Sequence, residues 1–266
     1  MASIVPDGKD PGDVVLECCL EGVESASQAR SGGAHRIELC ANLAQGGVTP
    51  SAGDIEGALL AVRGSRTRVH VLIRPRPGDF VYSVLEKQVM EKDVSAAVKA
   101  GAHGVVIGAL LEDGNIDLET TERLVQVAKA AAKAACSITF HRAFDCCTTD
   151  EVAAMESLLA GVLLLNVQHH SASWYRRRVM VPGVVSVAVA GAGITHGNVK
   201  QLLLHTGAKE VHVGSACQEN VPTTALREDA TVCLGFVGEG SAAAGLKRVS
   251  AGRVSEMLTI LAEGMS

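Results

Sequence analysis

Short apolar runs alternate with longer amphipathic stretches through the first 160 residues of the chain. Val14 to Cys19, His35 to Cys40, Val69 to Arg74, Gly104 to Leu110 and Ser137 to Arg142 each read as a strand bounded by turn signals. Between them, Val23 to Ser31, about Ile55 to Val62, Glu86 to Ala100, Leu118 to Ala135 and Glu151 to Leu159 read as helices, with Asp54 placed as an N-cap ahead of the second. A Gly-Ala pair recurs where a helix ends and a buried strand begins, at Gly33-Ala34, Gly101-Ala102 and Gly207-Ala208. The later half is less regular. Gly161 to Val167 is a candidate sixth strand, and His169 to Met180 fits neither a helix face nor a strand. Val184 to Ala190 resumes as a seventh strand, and Gly191-Ala192-Gly193 leads into a helix from Thr195 to His205. Glu210 to Gly214 is an eighth strand, Gln218 to Ala244 carries no clear pattern, and Arg253 to Glu263 closes the series as a helix.

Strands alternating with helices at this spacing predict parallel βαβ units. Eight such units predict an α/β fold of the TIM-type (β/α)8 barrel class, with the sixth unit, residues 161–187, irregular or incomplete. No low-complexity linker divides the chain, so residues 1–266 are expected to form one domain behind a flexible tail at 1–13.

Composition narrows the function classes. The 266 residues suit a barrel, which typically takes about 250. Hydrophobic residues make up 47% and charged residues 20%, as expected for a large core. A net charge of −5 leaves no electrostatic footprint for nucleic acid. No apolar run approaches the ~20 residues that span a bilayer. The N-terminal stretch lacks the basic and apolar regions of a signal peptide, so a soluble intracellular protein is expected. Eight cysteines include no zinc-type C-x-x-C pair, so free thiols are expected in a reducing compartment.

The stretch from Gly33 to Ser51 carries the most chemistry. It delivers Glu38 and Cys40 at the end of a strand, then a Gly46-Gly47 loop, then a helix start. Residues of equal parity on a strand share a face. Glu17 and Cys19 therefore share one, and so do Arg36, Glu38 and Cys40. Two carboxylates and two thiols can meet at the mouth of the barrel, with Arg74 as a counter-charge and His141 or Arg142 as another. Two readings fit the thiols: soft-metal ligands, for which Cu(I) is the preferred ion, or small buried hydrophobes. A second candidate site is the glycine set Gly191, Gly193 and Gly214 with Ser215, whose backbone N–H groups suit a phosphate or carboxylate. An enzyme reading assigns Glu17 or Glu38 as general acid/base, Arg74 as anion clamp and His141 as proton shuttle, acting on a small anionic metabolite.

Several motifs together resemble the CutC family of copper homeostasis proteins. They are Leu16-Glu17-Cys18-Cys19, His35-Arg36-Ile37-Glu38-Leu39-Cys40, Gln45 through Ser51, Ile73-Arg74-Pro75-Arg76 with Gly78 through Ser83, Asp113 through Asp117, and Thr139 through Asp145. Gly191 through Ile194 and Glu210-Val211-His212 match as well. The resemblance implies a TIM-type barrel, a cytoplasmic location extending to the nucleus, a homo-oligomer, and a Cu(I) site at cysteines that fall on Cys19 and Cys40. Family members carry a Leu-Thr-Ser-Gly motif at the end of the sixth strand. Residues 160–187 lack it and run several residues short, and Pro77 replaces a usual glycine.

Overall fold

The computed structural model describes residues 14–148, 166–169, 188–190, 193–221 and 246–263. The predicted tail at 1–13, the predicted helix over 151–159 and most of the atypical segment at 161–187 lie outside these residues.

Eight parallel strands pair in chain order: β1 (Val15–Glu21), β2 (Arg36–Cys40), β3 (Arg68–Leu72), β4 (Gly104–Ile107), β5 (Ser137–Phe140), β6 (Asn166–His169), β7 (Ala188–Ala190) and β8 (Glu210–Val213). β8 also pairs with β1, with Glu17 opposite His212, so the sheet curls round and meets itself. Six helices are described: α1 (Val23–Ser31), α2 (Ala52–Ala61), α3 (Val84–Ala100), α4 (Leu118–Ala131), α5 (Val199–Thr206) and α6 (Ala251–Glu263). The first four follow β1 to β4 in turn, each as the return leg of a parallel βαβ unit.

Several boundaries differ from the sequence expectation. α2 is capped by Ser51, whose hydroxyl accepts the Asp54 backbone N–H, so Asp54 sits in the first turn and not at the cap. α3 begins two residues earlier than its periodicity implied, because Ser83 and Glu86 form a reciprocal capping box. β5 stops at Phe140, and Arg142–Cys146 turns into a 3-10 helix capped by the His141 imidazole. β6 extends to His169, past the expected end at Val167. Gln218–Val221 (β9) pairs antiparallel with Leu246–Val249 (β10), in a stretch where the sequence showed no pattern. Long-range partners create such a pair, and local periodicity does not reveal it.

The two parities of the strands do different work. Leu16, Cys18 and Leu20 on β1, Ile37 and Leu39 on β2, Val69 and Val71 on β3, and Val105 and Ile107 on β4 belong to one large buried cluster with α1 to α4. That cluster is the core which holds helices to sheet. The opposite parity faces the axis and is largely polar: Glu17, Arg36, Glu38, His70, Thr139, His141 and Glu210 are all buried. Its apolar part is small, formed by Cys40, Leu72 and Val106 with Cys19 and Leu43 packed against them. Barrel interiors are usually filled with branched aliphatic side chains. A charged interior is costly unless each group is matched.

Glycines on β4 and just beyond it make room for this interior. A Cβ at Gly104 would lie 2.6 Å from the His70 ring, and one at Gly108 would collide with the His141 ring. Gly104→Ala is therefore expected to lower stability by roughly 1–3 kcal/mol, the usual cost of overpacking. Gly53→Ala, in the open first turn of α2, should be neutral or stabilising by up to ~1 kcal/mol. Urea denaturation of both variants checks the contrast.

Candidate functional site

The axis-facing polar residues form a continuous chain across three strands. Arg36 on β2 donates through Nε to Glu17 on β1, and through Nη2 to Glu210 on β8 at 2.7 Å. Glu17 also accepts from His212 Nδ1 at 2.6 Å. His212 Nδ1 lies 3.8 Å from Glu38 Oε2. Strand register explains the arrangement. Glu17 stands opposite Arg36 on one side and opposite His212 on the other, and Glu38 stands opposite Cys19.

Electrostatics fix the charges. Burial alone would push the Glu17 carboxyl up, but Arg36 and His212 hold it well below the usual carboxylate range. Burial would likewise lower His212, yet Glu38, Cys19 and Glu17 raise it well above the ordinary imidazole value. Glu17 is thus a fixed anion and His212 a fixed cation near neutral pH.

Two residues further along β1 and β2, Cys19 Sγ lies 3.8 Å from Cys40 Sγ. Cys40 Sγ is also 3.7 Å from Glu38 Oε1. The pair is asymmetric. Hydrogen bonding from Cys40, helped by His212, lowers Cys19 to about 6, while Cys40 is raised well above an ordinary thiol by Cys19, burial and Glu38. Cys19 is half-buried and Cys40 buried, so the thiolate is the more accessible sulfur. Two sets of donor atoms gather within 4.8 Å of one another, Cys19 with Glu38 and Cys40, and Glu17 with Glu38 and His212. Glu38 is common to both.

The loop above the thiols is made by Ala41 to Val48. Ala41 and Val48 exchange backbone hydrogen bonds at 3.0 and 2.8 Å. Gly46 and Gly47 take φ of 88° and 85°, a region that favours glycine. A Cβ at Gly47 would lie 3.5 Å from Cys40 Sγ, so the backbone itself walls the thiol site.

The CutC family model matches residues 14–217, which include every strand of the curled sheet and every residue named above. The chain belongs to the CutC family. A CutC relative from Photobacterium profundum is 38% identical over 207 residues, covering 75% of this chain and 81% of that protein. One from Vibrio vulnificus is 40% identical over 205 residues, covering 74% and 79%. Among solved structures, a Streptococcus agalactiae protein provisionally named copper homeostasis protein CutC superposes with a TM-score of 0.69 at 29% identity, covering 76% of this chain and 98% of that one.

Within this CutC chain, the structure brings together Glu17, Glu38, Cys19 and Cys40. Their counter-charges are Arg36 and His212. Arg74 lies beyond the end of β3, too far along the strand to take that part. Its guanidinium donates instead to the carbonyls of Gly47 at 2.8 Å and Gly78 at 2.6 Å. Of the two residues ending the fifth strand, His141 is buried and Arg142 exposed. Burial and the nearby Arg74 and Arg142 lower His141 to about 3, so it is neutral. Of the glycine set, Gly193 and Gly214 leave open space where a Cβ would stand, and Ser215 begins a 3-10 turn. Gly191 lies outside the described residues. Arg36, Glu210 and His212 were not singled out as functional. Their signal was the repeated alternation of charge on β1, β2 and β8, as in Glu210-x-His212.

Two outcomes follow. Arg36→Leu leaves Glu17 and Glu210 buried without their guanidinium, and should cost about 3–5 kcal/mol in chemical denaturation. Site-resolved alkylation of the metal-free protein should show Cys19 reacting with a pH midpoint about 6, its rate falling as pH drops and the thiolate is protonated. A midpoint above 8 would remove the proposed thiolate.

Proposed function

We propose that this protein handles copper by holding Cu(I) at Cys19 and Cys40, at the mouth of a single TIM-type (β/α)8 barrel. The observation that carries this reading is the contact of the two sulfurs at 3.8 Å, with one thiol acidified by its partner and by the half-buried His212. Thiolates select soft ions, and Cu(I) is the soft ion of the first-row series. The donor set fits: two sulfurs on adjacent strands, an apolar floor of Leu72 and Val106, and Glu38 against Cys40. The copper homeostasis name of the Streptococcus agalactiae relative supports the same reading. The proposal includes a cytoplasmic place of action, extending to the nucleus, and self-association.

Anaerobic competition titration against a chromophoric Cu(I) chelator tests the site. Wild type should bind one Cu(I), and Cys19→Ser/Cys40→Ser should lose it. His212→Gln, which removes one of the groups that acidify Cys19, should weaken binding about 10–100-fold, the range found for residues supporting metal ligands. Equal affinity in wild type and the double variant would sink the proposal.

A further inference from the structure

Three arginines enter the loops beyond β3 and β5, and they are treated differently. Arg76 is matched by carboxylates, with Nε 2.6 Å from Glu86 and Nη2 3.0 Å from Asp79. Arg74 and Arg142 form no ion pair with any carboxylate among the described residues. Arg74 is only 3% exposed, and its guanidinium donates to backbone carbonyls beside the neutral Tyr82 hydroxyl. Arg142 is exposed and donates to Gly46 O at 3.0 Å, a carbonyl that also faces Arg74 Nη1 at 3.3 Å. Two guanidinium charges therefore share one peptide oxygen, which offsets neither.

His141 completes the group. The Phe80 ring joins it to Arg74: Arg74 Cζ lies 4.9 Å from the ring centroid, and the His141 ring lies 5.0 Å from the same centroid. His141 Nδ1 accepts the Ala143 backbone N–H at 3.1 Å, which leaves the proton of the neutral ring on Nε2. That Nε2 and Arg74 Nε are both buried and lack a hydrogen-bond partner among the described residues. Buried polar groups are normally satisfied, so each orphan calls for an explanation. Both orphans are donors. Their missing partner is an acceptor, and the adjacent uncompensated guanidinium groups specify a negatively charged one. The group lies beyond the carboxyl ends of β3 and β5, the side on which barrel proteins bind ligands. At Gly46 a side chain would collide with Arg142, so the glycine keeps the guanidinium seated there.

We propose that Arg74, His141 and Arg142 form an anion site for a small carboxylate or phosphate, distinct from the thiol site and separated from it by the Gly46-Gly47 loop. Arg142 is the exposed first contact, and Arg74 and His141 supply the buried N–H donors. None of its groups is needed to hold copper, so it stands or falls independently of the copper reading.

Isothermal titration of the full chain with inorganic phosphate tests it, with sodium chloride at matched ionic strength as the blank and malonate run in parallel. Wild type should give saturable binding to one of the two, and the tighter of them identifies the preferred group. Arg142→Gln removes one exposed side chain with a single backbone hydrogen bond and should still fold. It should weaken binding at least tenfold, equivalent to ~1.4 kcal/mol. Arg123→Gln, an exposed arginine paired with Glu91, should bind like wild type, and so should Cys40→Ser. Absence of saturable binding to either anion, or equal loss in Arg142→Gln and Arg123→Gln, would overturn the site. A Cys40→Ser variant that lost anion binding while Arg142→Gln kept it would also overturn it.

Discussion

A carboxylate at the centre of a protein must be matched or neutralised, and Glu17 is matched from both sides. Arg36 reaches it from β2 and His212 from β8. Those two strands flank β1 only because the sheet meets itself, so curvature and charge balance are the same fact seen twice. The guanidinium of Arg36 also reaches past β1 to Glu210, tying the first two strands to the eighth. Everything above this layer inherits its position. Cys19 is two residues beyond Glu17 on the same face, and Cys40 is two beyond Glu38. A matched buried pair contributes little net stability, because desolvation offsets attraction, but removing one member is expensive. The network is best understood as a constraint on register. A one-residue slip of β1 would send Glu17 into the apolar helix-facing core and draw Cys19 away from Cys40.

Much of this was legible in the chain. Strand alternation gave Glu17 with Cys19 and Glu38 with Cys40 on common faces, and adjacency of the first two strands put the thiols side by side. The first five strands and four of the helices could be placed within a few residues, because each carries its own periodicity and turn signals. What could not be read was which distant residues finish the network. His212 is 195 positions from Glu17, and nothing local marks it as that carboxylate's partner. Arg74 looked like the counter-charge because it ends a strand beside the site. The structure sets it one layer higher, where loop carbonyls are nearer than carboxylates. The Ser51 cap and the β9–β10 pair were missed for a related reason, since a side-chain hydroxyl and a remote strand decided them.

The Gly46-Gly47 loop parts two groups of charges at the mouth of the barrel. On one side lie Glu17, Glu38 and Cys19, balanced by Arg36 and His212. On the other lie Arg74 and Arg142. The loop is backbone at its thinnest, since neither glycine has a side chain to thicken the wall. Gly47 backs onto Cys40 Sγ and Gly46 onto the Arg142 guanidinium. Field lines between the two halves cross only a few ångströms of peptide, where screening by water is weak. Fixed charges in this arrangement orient any polar group entering the mouth before it makes a contact.

The span between Glu17 and His212 also sets a schedule. During synthesis Cys19 and Cys40 emerge only 21 positions apart, whereas His212 follows Glu17 by 195. Until β8 docks, Glu17 lacks its His212 partner and Cys19 has no imidazole beside it. The nascent chain therefore displays two ordinary thiols with the weak nucleophilicity and metal affinity of protonated sulfur. The acidified pair comes into being only when β8 is in place. The unequal pair of thiols is thus a property of the closed sheet, absent from any arrangement of β1 and β2 that lacks β8.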